Sequence, residues 1–524
     1  MNKIKKLLVS LLAVVMASSS FACGGGSGDS SVGGDSSVGG SNDSSVSESS
    51  SVDINLLPDN GELPAPVMNI PEGGYDGSAQ TVTFYHTMGQ NLQEILNRYI
   101  EKFQVRYPNI TVVATQEGGY DDVRDKIVTE IIGNVSPNIA YCYPDHVALY
   151  NRAAAVLTLD NLIASDIPTT YYLSNGTTKT ETLGFTDAQV ADFIPGYYNE
   201  GAAFGNDKMY TLPFSKSTEV LYYDATFFKQ HNLSVPTTWD EMEDLLWEIA
   251  EIDPNCIPLG YDSEANWFIT MCEQQGSNYT AATVEDKNYA DHFIFNEQAN
   301  WDFVAKFREW YKDRLVTTQE LYGSYTSKLF TSTTGIRSYM CIGSSAGASK
   351  QCPTPDAKGD FPFEVGIATI PQVNPAQPKV ISQGPSICMF DKGEGNEQNM
   401  LAAWLFMKYI TSNVAFQAEF SYASGYVPVL QSVRDNSVYA DHLDKANGLS
   451  TVGVTAMAAK VCMDQAHAYY VSPAFYGSSV ARDEVGALMQ ACFTGEPERG
   501  ETVMDMIKRE FARTIGRCVD KVTG

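Results

Sequence analysis

Between Gln80 and Tyr150, short runs of branched and aromatic residues alternate with longer runs at helical spacing. This alternation restricts the possible folds more than any other feature of the chain. Thr81-Val82-Thr83-Phe84-Tyr85-His86 has the composition of a strand. Gly89 to Arg106 follows, with Leu92, Ile95, Leu96, Tyr99, Ile100 and Phe103 on one helical face. Pro108-Asn109 breaks that helix, and Ile110-Thr111-Val112-Val113-Ala114 reads as a second strand. A second helix carries Val123, Ile127 and Ile131 and stops at Gly133-Asn134. A third strand lies at Pro137 to Cys142, with another helix after Pro144-Asp145. Strand–helix–strand order requires right-handed crossovers, and so a parallel sheet with helices on both faces. Ligands of such sheets collect at the carboxyl ends of the strands. The fold class is α/β.

The pattern continues. Val220-Leu221-Tyr222-Tyr223 is a strand, and Thr238 with Glu241 three residues on forms a capping box that opens a helix at Trp239. Two helices close the chain, one with Val485, Leu488, Met489 and Cys492, the other with Val503, Ile507, Phe511 and Ile515.

The amino terminus has a different character. Asn2-Lys3-Ile4-Lys5-Lys6 is a basic stretch, and Leu7 to Ala17 is an apolar run interrupted only by Ser10. That run is too short to cross about 30 Å of hydrocarbon and has the length of a secretory signal core. A small residue, Ala22, then precedes Cys23, which resembles the lipobox of bacterial lipoproteins; the family usually has Leu where Ser20 stands. The resemblance implies a signal peptide at 1–22 and lipidation of Cys23. Gly24 to Val52 is almost wholly Gly, Ser, Asp and Val, with Asp-Ser-Ser-Val recurring. Such a chain buries too little apolar surface to offset its entropy, and behaves as a tether of roughly 30 Å root-mean-square reach. The expected linker spans 23–78, its tail marked by Pro58, Pro64, Pro66 and Pro71.

Charge narrows the partners. The chain has 35 Lys and Arg against 63 Asp and Glu, a net charge of −28. That balance opposes nucleic acid, which needs basic side chains to release counterions, and it disfavours polyanionic ligands. The expected ligand is therefore neutral. Nine cysteines follow Cys23, at 142, 256, 272, 341, 352, 388, 462, 492 and 518. They form no C-x-x-C pair and are odd in number, so neither a zinc site nor a complete disulfide framework is expected; a local Cys341–Cys352 pair stays open.

Catalytic motifs are sparse. Gly343-Ser344-Ser345-Ala346-Gly347 satisfies G-x-S-x-G, with His442 and His467 downstream, but a loop (Lys350 to Pro355) follows in place of the required helix. The six histidines show no metal-ligand spacing, and no phosphate-binding glycine motif occurs. No catalytic residue, metal or cofactor is expected.

Several ordered segments resemble the solute-binding proteins of bacterial ABC importers, in particular the carbohydrate group. They are Tyr85-His86-Thr87-Met88-Gly89, Pro137 to Asp145, Ala154 to Asp160, Asp207 to Asp224, Pro236-Thr237-Thr238-Trp239, Gly384-Pro385-Ser386 and Ser424 to Pro428. The resemblance implies a periplasmic-binding-protein-like fold of two α/β lobes joined by a multi-strand hinge, with the ligand cleft between them. Crossings are expected near Phe214–Thr218, Pro371–Val380 and Gly425–Pro428. Lobe 1 would comprise 79–214 plus 376–426, and lobe 2 would comprise 215–375 plus 427–524. The implied function is capture of a neutral carbohydrate by hinge closure and delivery to permease subunits. The protein would act as a monomer on the extracellular face of the cell membrane. A binding protein for another solute (glycerol phosphodiester, polyol or peptide) is the alternative, and a secreted glycan or ester hydrolase a further one.

Sugars need flat rings for their C–H faces and polar groups for their hydroxyls. Candidates at the family's cleft positions are Tyr85 and His86 at the end of the first strand, and Asp145 after the third. Ser217 and Thr218 stand at a crossing, Trp267 is a possible platform, and Ser344 and Ser345 are possible hydrogen-bonders. Gly384 would allow close backbone approach, and Tyr426 and Tyr476 are possible closing rings. The family often has a Trp near Tyr141–Pro144; here Tyr141, Cys142 and Tyr143 stand there, which leaves the ligand's length open.

Overall fold

The computed structural model describes residues 64–284 and 289–523. The expected leader, Cys23 and the Asp-Ser-Ser-Val repeats lie outside the described residues.

Along the chain the strands are Gln80–His86 (β1), Ile110–Gln116 (β2), Ile139–Cys142 (β3), Pro168–Tyr172 (β4), Thr178–Thr182 (β5), Thr211–Pro213 (β6) and Glu219–Asp224 (β7). Leu259–Tyr261 (β8), Val316–Thr318 (β9), Met340–Ser344 (β10), Val365–Ala368 (β11), Val380–Ile381 (β12), Ser386–Met389 (β13) and Tyr469–Tyr470 (β14) follow. One sheet has the order β2-β1-β3-β13-β6 and a second the order β11-β7-β10-β8-β9. In the first, β1 runs parallel to β2 and β3, as the crossovers require, while β13 is antiparallel to both its neighbours. In the second, β8 is parallel to β9 and β10, and β7 is antiparallel to β10 and β11. Each sheet has its own core, so the molecule is two α/β lobes.

Local sequence accounts for most elements. Helix Gln90–Arg106 buries Ile95, Leu96, Tyr99, Ile100 and Phe103, the apolar stripe of the sequence. Helix Trp239–Ile252 opens on Thr238, whose hydroxyl accepts from the Glu241 amide in the expected capping box. The first core gathers Val82, Phe84, Leu96 and Phe103 with Trp404 and Phe406 of helix Glu397–Ser412. The second gathers Leu221, Trp239, Trp267, Phe307 and Trp310 with Leu488 and Phe511 of the two closing helices.

Two expectations are corrected here. Residues 64–78, read as linker tail, are docked on the first lobe. Met68 is buried in its core, Pro66 O accepts from the Thr158 amide at 2.8 Å, and Asn109 Nδ2 donates to Gly77 O at 2.7 Å. Pro64 O and Pro66 O accept from the first-lobe donors Asn151, Tyr210 and Thr158. The first core also takes Val429, Leu430, Val433, Tyr439 and Leu443, beyond the expected last crossing. Ser432 holds that segment by bonding Asp192 through both its amide and its hydroxyl.

The extended stretch 214–218 is the middle of the hinge. On one side the Ser217 and Gln383 backbones exchange hydrogen bonds of 2.9 Å, and the Phe214 amide donates to Pro385 O. On the other, the Lys216 and Val427 backbones pair. The expected crossing at Pro371–Val380 is thus shifted to 381–385. Pro371 and Lys379 are tied instead to Gln274 of the second lobe, whose Nε2 donates to both carbonyls at 3.1 Å. Gly384 has φ +94°, and a Cβ there would stand 2.4 Å from Ser215 O. Only glycine lets the two crossing strands come this close.

The hinge contains a buried ion pair that the sequence reading missed. Lys216 is wholly buried; its Nζ donates to Glu200 Oε1 at 2.6 Å, to Gly384 O at 2.9 Å and to Ser386 Oγ at 2.9 Å. All three ammonium protons have an acceptor. Ser382 Oγ donates to the other oxygen, Glu200 Oε2, at 3.2 Å.

Candidate ligand-binding cleft

The carboxyl ends of β1 and β3 and the start of helix Tyr120–Ile132 bring a group of tyrosines to the seam between the lobes. The rings of Tyr120 and Tyr143 are 4.9 Å apart, and Tyr120 stacks on Tyr141 at 6.4 Å with 20° between planes. The Tyr120 hydroxyl meets those of Tyr143, Thr87 and the hinge residue Tyr426. Tyr426 in turn lies within electrostatic range of Tyr325, which the second lobe supplies. Burial holds the Tyr120, Tyr143 and Tyr426 phenols well above their ordinary range. They remain neutral, each able to donate and accept.

A second aromatic group bridges the lobes. Arg152, just beyond helix Pro144–Tyr150, places its guanidinium 4.0 Å over the Tyr476 ring, and Tyr476 meets Tyr289 edge-on at 5.8 Å. Tyr476 packs against both a first-lobe and the second-lobe core, so this contact ties the lobes together. Carboxylates from both lobes also meet here. Asp145, in the first turn after Pro144, and Asp121 act across the seam on Asp483 of helix Ser478–Thr494.

The sequence candidates divide. Tyr426, Tyr476 and Asp145 are at the seam. Tyr85 turns the other way, with its hydroxyl on Glu130 at 3.1 Å and its ring under Lys126. His86 shares the buried face of Val82 and Phe84. Burial pushes its imidazole down to about 4, and its Nδ1 accepts from the Met88 amide, which places the proton on Nε2. Ser217 is buried in the hinge. Thr218 donates to Ile381 O at 2.7 Å and its amide donates to Ser345 Oγ at 3.1 Å.

Four expectations of ligand contact are corrected. Trp267 is a core residue, stacked between Tyr261 at 4.6 Å and Phe307 at 4.2 Å, with no ring face left for a ligand. Ser344 caps its own short helix by accepting from the Ala346 amide, and Ser345 latches the hinge through Thr218. Gly384 serves strand approach within the hinge, as its contact with Ser215 shows. The G-x-S-x-G hydroxyl is therefore held in the hinge latch, and His442 is buried beside Tyr422 and Tyr439. Cys341 and Cys352 are free thiols. Among the described residues, no cluster of His, Cys, Asp and Glu has metal-binding geometry.

Sequence reasoning missed Tyr120, Tyr143 and Tyr325. The signal was present for the first two, because each directly precedes or begins a helix at a strand's carboxyl end. A cavity of about 340 Å³, lined by Ile257, Lys312, Arg314 and Val316, opens at the opposite, amino-terminal end of β9.

Comparison with known proteins agrees with this fold. The model of the bacterial extracellular solute-binding protein family matches residues 98–446. The sn-glycerol-3-phosphate-binding periplasmic protein UgpB of Shigella flexneri and that of Escherichia coli K12 are each 25% identical over 193 residues. The match covers 36% of this chain and only 39% of those relatives. The sugar-binding protein MalE of Xanthomonas citri superposes with a TM-score of 0.63 at 15% identity, covering 84% of this chain and 98% of that one. The cyclic α-maltosyl-1,6-maltose binding protein of Arthrobacter globiformis gives 0.61 at 15%, covering 85% and 100%. UgpB of Mycobacterium tuberculosis, in complex with glycerophosphocholine, gives 0.62 at 16%, covering 85% and 100%. At these identities the superpositions speak for the fold, and the family model speaks for descent. The family model spans about two thirds of the chain and the superposed structures share its two-lobed α/β fold, so the chain belongs to the bacterial extracellular solute-binding proteins.

Proposed function

We propose that this protein is the substrate-binding component of an ABC importer that captures a carbohydrate in the inter-lobe cleft and passes it to permease subunits. The observation that carries the reading is the neutral tyrosine group Tyr120, Tyr143 and Tyr426, with Tyr325 opposite. It offers ring faces and hydroxyls together, which is what a sugar needs. Structural neighbours that bind sugars, a cyclic maltose derivative among them, support it. In this reading the cleft is bounded by a first lobe of 64–214, 386–426 and 429–443 and by a second lobe of 215–380 plus the rest of 427–524, with 381–385 crossing between them. His86 Nε2 and Ser217 are further polar groups beside it. No bond is made or broken. The ligand binds to the monomer, and closure is a rotation about 214–218, 381–385 and 425–428.

A glycerol phosphodiester is the second reading, favoured by the UgpB relatives and opposed by Asp121, Asp145 and Asp483 at the seam. Thermal-shift titration with maltose, maltotriose, cellotriose, sn-glycerol 3-phosphate and glycerophosphocholine separates the two. A cognate sugar at a hundredfold excess over its Kd stabilises the protein by about 2.7 kcal/mol. Stabilisation by the phosphates alone would move the assignment to them, and release of product from any sugar would overturn the importer reading.

The protein acts, in the same reading, outside the cell on a lipid anchor at Cys23. Replacing Cys23 with Ala should shift it from the membrane fraction to the medium. Retention at the membrane would remove the lipoprotein assignment.

A further inference from the structure

We propose that Arg482 is a ligand-contacting residue of the second lobe, held in place by Asn266, Glu219 and Tyr261 behind it, and that it donates to the hydroxyls of a sugar ring. The chain of contacts is continuous. Arg482 Nη1 donates to Asn266 Oδ1 at 2.5 Å, and Asn266 Nδ2 donates to Glu219 Oε1 at 3.2 Å. Tyr261 Oη donates to the other oxygen, Glu219 Oε2, at 2.7 Å. The chain rests on four rigid elements: β7, β8 and the helices Glu264–Gln275 and Ser478–Thr494. Glu219 and Tyr261 are fully buried, and Asn266 nearly so. Glu219 is also the first residue after the hinge stretch, so the relay starts where lobe motion starts.

At its other end the relay reaches the seam. Arg482 acts on the hydroxyl of Tyr143, a first-lobe residue, and is half-buried. Among the described contacts its guanidinium makes one hydrogen bond, so its other N–H groups are available in the cleft. Asp145 of the first lobe acts on the same two groups as Arg482, the Tyr143 hydroxyl and Asp483. A sugar hydroxyl both donates and accepts, so a ring lying between Arg482 and Asp145 satisfies both lobes at once and favours closure. A phosphate would gain Arg482 but would sit among Asp121, Asp145 and Asp483, which makes a neutral ring the better fit. Glu219 cannot replace Arg482 as a ligand group, because both its oxygens are engaged behind Asn266.

The inference rests on the carbohydrate reading above, and one calorimetric series separates the two. Maltotriose and cellotriose are titrated into the wild type, Arg482→Gln, Arg482→Lys and Asn266→Asp, with ligand-free melting midpoints measured in parallel. Arg482→Gln should weaken the trisaccharide that the wild type binds by about 10- to 100-fold, the range for a charged hydrogen bond, with little change in midpoint, and Arg482→Lys should recover part of the loss. Asn266→Asp puts a carboxylate against Glu219, so its affinity should be poor at pH 8. It should recover at pH 5.5, where a proton shared between the introduced carboxylate and Glu219 restores the acceptor for Arg482. That recovery is a pH signature a merely structural role would not give. Wild-type affinity in Arg482→Gln, or loss in Asn266→Asp at both pH values, would overturn the inference and leave the carbohydrate reading intact. A wild type that binds neither sugar would overturn both.

Discussion

Lys216→Ala should lower the unfolding free energy by about 3–5 kcal/mol, the cost of leaving one partner of a buried ion pair without the other. The geometry makes this site severe. Glu200 is buried, and without the ammonium its carboxylate keeps only Ser382 and Ser386 as donors. Gly384 O and Ser386 Oγ lose a partner in the same step. A pair variant, Lys216→Met with Glu200→Gln, removes both charges and should regain most of the loss, since the pair's net worth is far smaller than the cost of breaking it. Urea denaturation of the three proteins checks this. A Lys216→Ala midpoint equal to the wild type, or a double variant less stable than the single, would show that the pair is not what holds the hinge.

The second large effect is a pH dependence centred on Glu219. Burial pushes this carboxyl up to about 7, against the pull of Tyr261 and Asn266. An unfolded glutamic acid ionises near 4.5. Between those values the folded protein keeps a proton that the unfolded chain releases, so the folded state binds more protons and stability falls as pH rises. The loss begins near pH 4.5 and is complete above about 7, and it amounts to about 3 kcal/mol. Asp262, raised to about 6 by burial, adds a loss of the same sign over a lower window. The Glu219→Gln variant isolates the first contribution. Its stability relative to wild type should improve by about 3 kcal/mol between about pH 4.5 and 7.5. Parallel pH profiles for the two proteins would refute the assignment.

The parts of the fold that were legible in the sequence are those whose cause is local. Period and punctuation located β1, β2 and β3 and the helices between them, and the Thr238–Glu241 box marked its helix to the residue. The hairpin of β4 and β5 escaped notice although Asn175-Gly176 stands between a run rich in Thr and Tyr and a run rich in Thr, the usual mark of a tight turn. The hinge was half legible. The stretch 214–218 was expected from family resemblance, but its partner at 381–385 is a pairing across about 165 residues, which no local pattern encodes. Trp267 misled because an indole in a polar-looking segment reads alike as platform or core until its neighbours Tyr261 and Phe307 are known. Lys216 had a signal that went unused. It is the one cation in the otherwise uncharged run from Met209 to Thr218, and such a residue is buried only if it is paired.

The insertion of β13 between β3 and β6 has a consequence for the order in which the molecule can be completed. As the chain emerges from its amino end, β3 and β6 appear with a gap between them that only residues 386–389 can fill. All five strands of the second sheet appear before that gap closes. The first sheet therefore cannot close until every strand of the second has appeared, and its unpaired strand edges stay open until about three quarters of the chain is available. Pairings of such sequence separation are slow to form and vulnerable to aggregation. A factor that keeps the emerging chain extended would act most usefully in the interval before Ser386 appears.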